Sequence, residues 1–278
     1  MKNELKCKGE LVSINGHDMH VYRQGDPNKP KIVLMSGSGT VAPVYDFKVL
    51  YEKLADDFRV IVIEKFGYGY SDIYETPCDI DTLVSAQKEA LDKLGEEGPY
   101  ILAPHSMSGL EAIRWKQDYP EDVRAIIGLD MAVPAVYQNW TEKELSKRIK
   151  FMEKARKYKL QKLPMICAGN KQCLSEDEVK QQKLLRNRNA FNICYMNEAK
   201  EVLKNAEIVD AAGQIECPAV LFTSNGKQTS NGWVEHQKNF ASGMNAKLIC
   251  FDCGHYIHYY KSKEICEEIK TFVSSLRR

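Results

Sequence analysis

The chain has 278 residues, of which 44% are hydrophobic and 28% are charged, and its formal net charge at pH 7 is +1. This balance is typical of globular proteins, and the length suits one large α/β domain with room for an inserted subdomain. A near-zero net charge argues against a dedicated nucleic-acid-binding protein, which usually has a strong excess of basic residues. No apolar run reaches the roughly 20 residues of a membrane-spanning helix, so we expect no membrane span.

The nine cysteines are an odd number and are scattered without the spacing of a metal site. Cys167 and Cys173 come nearest to a metal or disulfide pair, but they do not form a CxxC motif and no His-x-x-x-His sequence accompanies them. The opening MKNELKCKGE has no apolar segment after its lysine, so we do not expect it to be a secretory signal. These features predict reduced thiols, no metal site and a cytoplasmic protein.

Strand-like and helix-like segments alternate in the first half of the chain. Residues 8–24 predict an antiparallel hairpin, because Asn15-Gly16 is a type I′ turn signal between two strand-like segments. Short continuous apolar runs follow, which are typical of strands buried on both faces of a parallel sheet, and segments with helical spacing separate them. The predicted strands are KIVLM, FRVIVIE, PYILAPH and VRAIIGLD, and the predicted helices cover residues 44–56, 80–94 and 107–118.

The alternation stops after Pro134. From there to about residue 213 the sequence is polar, rich in Lys and Arg, and helical in pattern, which predicts a helical cap, or lid, inserted between two strands of one sheet. Leu145, Ile149 and Met152 share one helical face, which should pack over the site or the core. The basic residues of segment 143–162 predict an ordinary solvated face or, alternatively, a surface that steers anionic substrates.

The alternation then resumes with PAVLFTS, a helix from about 231 to 241, KLICFD, and a last helix from about 258 to 276. The predicted fold class is α/β, with a mostly parallel central sheet, an N-terminal hairpin and helices on both faces. We assign residues 1–133 and 214–278 to the core domain and residues 134–213 to the cap.

The segment ILAPHSMSGL, residues 101–110, places a serine where a strand becomes a helix. A serine on such a sharp turn has an exposed hydroxyl, with the helix N-terminus behind it. Ser106 is therefore the candidate nucleophile, although a serine here could instead only cap the helix. We expect Ser108 to serve close packing at the turn and His105 to be structural.

A serine hydroxyl is a weak nucleophile until an imidazole accepts its proton. The run from Asp252 to His258 directly follows the last predicted strand, and Gly254 would allow a tight turn over the sheet edge. We predict that His255 is the general base, and later the acid that protonates the leaving group. His258 would begin the last helix and pack or cap there. The remaining histidines, expected to be surface or packing residues, are His17, His20 and His236.

These features resemble the α/β-hydrolases, in particular the cap-bearing type that includes esterases, proline-iminopeptidase-like peptidases and carbon–carbon bond hydrolases. The resemblance covers almost the whole chain. Residues 104–108 correspond to the family's Gly-x-Ser-x-Gly elbow, and residues 64–72 resemble its Asp-x-x-Gly-x-Gly-x-Ser loop. The departures are Pro104 and Ser108 in place of the elbow glycines, Ser36 in place of a histidine, and no acid after the strand that follows the cap.

The resemblance implies the chain order nucleophile, acid, histidine. The acid usually follows the strand after the cap, but TSNGKQTS contains no carboxylate there, and its Asn225 could orient an imidazole without stabilising its charge. Asp130 ends the strand VRAIIGLD, where some α/β-hydrolases place their acid, and we assign it that role. Asp252 is a weaker alternative, because its closeness in sequence to His255 usually makes the approach angle poor.

An oxyanion hole needs backbone N–H groups directed at a developing negative oxygen. The resemblance implies that Met107, the residue after the nucleophile, supplies one, and that the Gly-rich loop after KIVLM supplies another, at Ser38. A Gly-rich loop between strand and helix can also bind phosphate. However, no Gly-Lys-Ser/Thr follows Gly37-Ser38-Gly39, and the dinucleotide-binding pattern is incomplete.

The sequence thus predicts a cofactor-independent serine hydrolase that cleaves a carboxylic ester, or a related acyl bond, of a small molecule. Alternatives are an aminopeptidase, amidase or carbon–carbon bond hydrolase on the same three residues, and a non-catalytic ligand-binding relative, which the missing post-strand acid motivates. Haloalkane dehalogenation is disfavoured, because in this fold it uses an aspartate at the elbow. We expect no metal or cofactor, no nucleic-acid partner, and a monomer or homodimer.

Overall fold

The computed structural model describes residues 5–160 and 169–276, and its centre is a single β-sheet. In these residues the strands are Glu10–Ile14 (β1), His17–Gln24 (β2), Lys31–Met35 (β3), Arg59–Glu64 (β4), Tyr100–Pro104 (β5), Val123–Leu129 (β6), Ala219–Thr223 (β7) and Lys247–Cys250 (β8). They lie in the order β1-β2-β4-β3-β5-β6-β7-β8. β1 and β2 form the predicted hairpin, β2 is antiparallel to β4, and the other neighbouring strands are parallel. The predicted mostly parallel sheet is confirmed.

Helices cover both faces of this sheet. They are Pro43–Asp46 (α1), Lys48–Leu54 (α2), Ile80–Lys93 (α3), Ser108–Asp118 (α4), Glu142–Lys157 (α5), Glu176–Asn189 (α6), Ile193–Ala211 (α7), Trp233–Gly243 (α8) and Ile257–Ser275 (α9). The single helix predicted over residues 44–56 is two short helices that meet at Phe47. None of the helices in the described part of the chain is long and apolar enough to cross a membrane.

Alternating residues of the central strands divide the core into two layers. In β3, Val33 and Met35 pack in the layer that also contains Trp115 of α4, whereas Ile32 and Leu34 pack in the layer with Ile269 of α9. Successive side chains of a strand point to opposite faces, so a strand covered on both sides must be apolar at every position. This double burial explains the unbroken apolar runs of the sequence.

The chain between β6 and β7 forms α5, α6 and α7, and its described part contains no strand. Thr141 and Ser175 begin α5 and α6 with capping boxes, in which each hydroxyl and a Glu three residues later satisfy the free backbone N–H groups. This helical content agrees with an inserted cap, although the cap's boundaries stay a prediction. Cys167 lies outside the described residues, whereas Cys173 is an exposed free thiol.

His20, expected to be a surface or packing residue, is instead a buried charged group. Its Nδ1 lies 2.8 Å from Oε2 of Glu64, and its Nε2 lies 2.6 Å from the carbonyl oxygen of Lys8. Because each ring nitrogen faces an acceptor, both must carry a hydrogen, and the ring is an imidazolium. Glu64 also accepts the N–H groups of Val44 and Tyr70, so the pair joins the chain that follows β3 to the loop that follows β4.

We expect the pair of His20 and Glu64 to make stability depend on pH. Burial alone would lower the pKa of His20, but the charge of the Glu64 carboxylate, together with hydrogen bonds to Cys7 and Glu64, raises it from 6.5 to about 10. The contribution to the free energy of unfolding is therefore fully present below pH 6.5 and is lost as the pH rises towards 10, by at most about 1.4 kcal/mol per pH unit. Urea unfolding at pH 7 and pH 9 measures this effect. Between these two pH values, the free energy of unfolding should fall less for His20→Gln than for the parent. Equal losses in both proteins would refute the charged pair.

Candidate active site

Ser106 lies between β5 and α4, at the carboxyl edge of the sheet. Its backbone φ of 55° is in the left-handed region, which a residue other than glycine adopts only at a cost. Ser106 lines a cavity, and the backbone of the loop after β3 approaches it closely. A Cβ atom on Gly37 would lie 2.5 Å from the Cβ of Ser106, so only glycine fits there. The strained turn and the close loop are the features of a nucleophile elbow.

The elbow contains Pro104 and Ser108 in place of its two usual glycines. Ser108 is fully buried, and its hydroxyl lies within donating distance of the carbonyl oxygens of Met35 and His105, at 2.8 and 2.9 Å. The close backbone approach falls one residue later, since a Cβ on Gly109 would lie 2.1 Å from the carbonyl oxygen of Ala132. The Ser108 hydroxyl is thus engaged in holding the turn.

The loop between β8 and α9 places His255 over the same edge of the sheet. Its Nε2 lies 2.8 Å from Oγ of Ser106, and its Nδ1 lies 2.6 Å from Oδ2 of Asp130. A carboxylate can only accept, so Nδ1 carries the hydrogen and Nε2 is free to accept the serine proton. The structure therefore brings together, in one hydrogen-bonded chain, the residues that the sequence predicts as nucleophile, base and acid.

Asp130 is completely buried, with hydrogen bonds to both carboxylate oxygens. Burial by itself would raise the pKa of Asp130, but the hydrogen bond and charge of His255, with the smaller effects of other donors, hold it well below its usual value. The carboxylate is therefore an anion throughout the physiological pH range. The donors to Oδ1 are the Thr223 hydroxyl (3.1 Å), the Ser224 N–H (2.9 Å), the Trp233 indole N–H (2.8 Å) and the Gln237 amide (3.0 Å).

The other candidates for the acid take no part in this chain of hydrogen bonds. The Asn225 amide donates to Oδ1 of Asp252 at 2.9 Å, so these two side chains bind each other at the surface. Sequence reasoning missed Trp233 and Gln237, which position Asp130 from α8. The indole N–H of a buried tryptophan usually finds an acceptor, so Trp233, which follows a loop without a carboxylate, was a weak signal in the sequence.

Two further histidines lie behind the site as neutral imidazoles. His105 is buried, with Nε2 3.2 Å from the carbonyl oxygen of His255, and burial and then the neighbouring histidines hold its pKa well below 6.5. His258 packs against Phe47 with ring centroids 5.3 Å apart, and burial followed by the charge of His255 lowers its pKa to about 3. Neither ring competes with His255 for a proton at neutral pH.

The cavity beside Ser106 has a volume of about 590 Å³, which suits a small organic molecule. Met107 and Ser38, the predicted oxyanion donors, line it together with Ser106 and His255. Met107 directly precedes α4, whose N-terminal end carries partial positive charge. The oxyanion role of these two N–H groups stays a prediction. In residues 5–160 and 169–276, no group of three metal-ligating side chains is placed to bind a metal ion.

Comparisons with known proteins agree with this architecture. Residues 32–163 match the family model of the alpha/beta hydrolase fold. The chain is 44% identical over 133 residues to the uncharacterized protein YbdG of Bacillus subtilis (strain 168); the match covers 48% of this chain and 41% of YbdG, so less than half of that relative is spanned.

Two solved structures are similar over nearly their whole length. Epoxide Hydrolase A from Mycobacterium thermoresistibile has a TM-score of 0.74 and 18% identity, covering 97% of this chain and 99% of that one. The enol-lactonase from Burkholderia xenovorans LB400 has a TM-score of 0.69 and 15% identity, covering 96% of this chain and 100% of that one. At such identities the likeness shows the fold alone. The fold of the chain is therefore that of the α/β-hydrolases.

Proposed function

We propose that this protein is a cofactor-independent serine hydrolase that cleaves a carboxylic ester, or a related acyl bond, of a small molecule. The observation that carries the proposal is the hydrogen-bonded chain from Ser106 through His255 to Asp130, which begins at the cavity wall. An imidazole between a serine hydroxyl and a buried carboxylate is the arrangement that activates serine towards a carbonyl carbon.

The proposed reaction is acyl transfer. Oγ of Ser106 attacks the carbonyl carbon while Nε2 of His255 takes the serine proton, and Asp130 stabilises the imidazolium that forms. The N–H groups of Met107 and Ser38 bind the developing oxyanion. His255 then protonates the leaving alcohol, and an acyl-enzyme remains. Water attacks that ester through the same groups and releases the acid.

The side chain at the elbow favours acyl transfer over attack on a saturated carbon. If Oγ of Ser106 displaced a halide or opened an epoxide, it would form an alkyl ether, which has no carbonyl carbon for water to attack. Attack on an ester instead forms a new ester that water can hydrolyse. A serine at this position therefore supports ester or lactone hydrolysis rather than epoxide opening. Of the two structural neighbours, it favours the chemistry named for the enol-lactonase over that named for the epoxide hydrolase.

A panel of p-nitrophenyl esters from acetate to decanoate, together with aminoacyl p-nitroanilides, tests the proposal. We expect hydrolysis of at least one ester, with an activity that disappears in Ser106→Ala. Faster cleavage of the anilides would favour the aminopeptidase alternative on the same residues. A folded protein that cleaves no substrate of the panel would favour the non-catalytic, ligand-binding alternative.

Gln237 offers a separate test, because it contacts Asp130 but does not line the cavity. Gln237→Met keeps the approximate side-chain volume and removes one donor from Oδ1 of Asp130. Since a hydrogen bond to a charged group is worth about 1.5–3 kcal/mol and three other donors remain, we expect kcat to fall roughly tenfold with KM unchanged. Steady-state kinetics on the best ester of the panel measure both constants. An unchanged kcat would remove Gln237 from the positioning network.

A further inference from the structure

The cavity beside Ser106 receives positive charge from one helix. α5 contributes Leu145, Arg148 and Met152 to the cavity wall, with Lys147 and Phe151 beside them. Residues three and four apart lie on one face of a helix, so the side of α5 that lines the cavity carries these two cations, and both are exposed to solvent there. This placement differs from that of a basic surface directed only at solvent.

Neither cation forms a direct ion pair with another residue in the part of the chain that the structure describes. No Asp or Glu is among the described residues lining the cavity, and no ion pair between described residues includes Lys147 or Arg148. Glu144, one turn earlier on α5, accepts hydrogen bonds from Thr141, and the charges of Lys147 and Arg148 act on it without a direct ion pair. Arg156 on the same helix donates to backbone carbonyl groups at the end of α6. Arg156 thus serves the fold, whereas Lys147 and Arg148 remain available to a ligand.

An aromatic ring holds Arg148 at the cavity wall. The guanidinium carbon lies 4.3 Å from the ring centroid of Trp140, which lines the same cavity. A guanidinium above an aromatic face keeps its in-plane N–H groups for a carboxylate, which it can bind with two parallel hydrogen bonds. Most of the remaining wall is apolar or aromatic, with Tyr137, Phe151 and Phe191 among its larger side chains.

We propose, on the basis of the hydrolase function proposed above, that the substrate is an ester whose acyl part has an apolar body and a terminal carboxylate. Arg148 and Lys147 bind the carboxylate while the apolar body contacts the aromatic wall. The acyl part stays bound in both half-reactions, so a contact to it acts throughout the cycle, whereas a contact to the leaving alcohol ends with the first half-reaction.

Matched ester pairs test this specificity. The p-nitrophenyl half-esters of adipic and suberic acid carry a carboxylate, and p-nitrophenyl hexanoate and octanoate are neutral esters of the same acyl length. For Arg148→Gln we expect kcat/KM for the better half-ester to fall about tenfold, mainly through KM, with less than a twofold change for its neutral match. The neutral ester thereby reports that the variant is folded.

Lys150→Gln is the matched control, because it removes the same charge from α5 at a residue that does not line this cavity. We expect it to leave the ratio of half-ester to neutral-ester kcat/KM unchanged, and Arg148→Lys to retain part of that ratio. Raising the salt concentration from 0.01 to 1 M shortens the Debye length from roughly 30 Å to about 3 Å, so it should lower the parent's kcat/KM for the half-esters only. Equal effects of Arg148→Gln and Lys150→Gln, or equal salt responses of both esters, would overturn the proposal.

Binding to Ser106→Ala separates this proposal from that of hydrolysis, because the variant lacks the nucleophile. By calorimetry we expect monomethyl suberate to bind this variant about tenfold tighter than methyl octanoate does, and to lose that preference when Arg148→Gln is added. This preference would stand even if no ester were turned over. Equal affinities for the two methyl esters would refute the carboxylate site whatever the outcome for hydrolysis.

Discussion

Ser106→Ala should abolish the hydrolysis of every ester that the parent cleaves, with a loss in kcat of about 10⁴- to 10⁶-fold. The reason is that Oγ of Ser106 is the atom 2.8 Å from Nε2 of His255, so the substitution removes the group to be activated. Alanine should leave the fold intact, because the Ser106 side chain lies at the cavity wall. Progress curves on the best ester, with circular dichroism and a thermal melt of both proteins, measure the two effects.

Ser108→Ala is the control for this experiment. The Ser108 hydroxyl is buried and engaged with the carbonyl oxygens of Met35 and His105, so its loss should lower stability more than activity. If Ser106→Ala stayed within tenfold of the parent while Ser108→Ala were inactive, Ser108 and not Ser106 would be the nucleophile.

Asp130→Asn should lower kcat by about 10⁴-fold, the size of the effect in a well-studied protease with the same arrangement. Four donors surround Oδ1 of Asp130, so an asparagine would place its amide oxygen there and its NH₂ group opposite Nδ1 of His255. Nδ1 would then have to accept, and Nε2 would carry the hydrogen and could no longer take the proton of Ser106. The amide would also fail to stabilise an imidazolium.

Asn225→Ala provides the comparison, because Asn225 binds Asp252 and not His255. We expect its kcat to remain close to that of the parent in the same assay. Small and equal effects of Asp130→Asn and Asn225→Ala would mean that the acid lies elsewhere, and Asp252 would be the next residue to substitute.

Much of the fold could be predicted from the sequence, because burial on both faces makes the central strands continuously apolar. The predicted strands KIVLM, PYILAPH and PAVLFTS correspond to β3, β5 and β7, with no boundary shifted by more than one residue. The helical spacing of residues 44–54 continues across Phe47, so periodicity alone could not reveal that the chain bends there.

Residues of the candidate site could be predicted from the sequence only where the pattern that indicates them lies within one short segment. Ser106 and His255 each lie in the connection that follows a strand, which places both at the same edge of the sheet. Asp130 rested on the family resemblance and on the lack of another acid. Trp233 and Gln237 could not be predicted, because they contact Asp130 across about 100 residues of chain, and periodicity tells which face is buried but not which side chains meet.

The charge state of His20 and the placement of Lys147 and Arg148 also could not be predicted from the sequence. His20 becomes an imidazolium because the fold places one acceptor at each ring nitrogen, and one of these is the backbone carbonyl of Lys8, which no side-chain pattern encodes. Similarly, composition indicated a basic segment in the predicted cap, but only the orientation of α5 separates Lys147 and Arg148, which line the cavity, from Lys150, which does not.

The most direct test of the central claim, that Ser106 is an activated nucleophile, is reaction with a fluorophosphonate probe followed by peptide mapping in a mass spectrometer. We predict a single modified residue, Ser106, labelling that slows strongly in His255→Ala, and no labelling of Ser106→Ala. A folded protein that the probe does not label, or labels at another serine such as Ser108, would contradict the account.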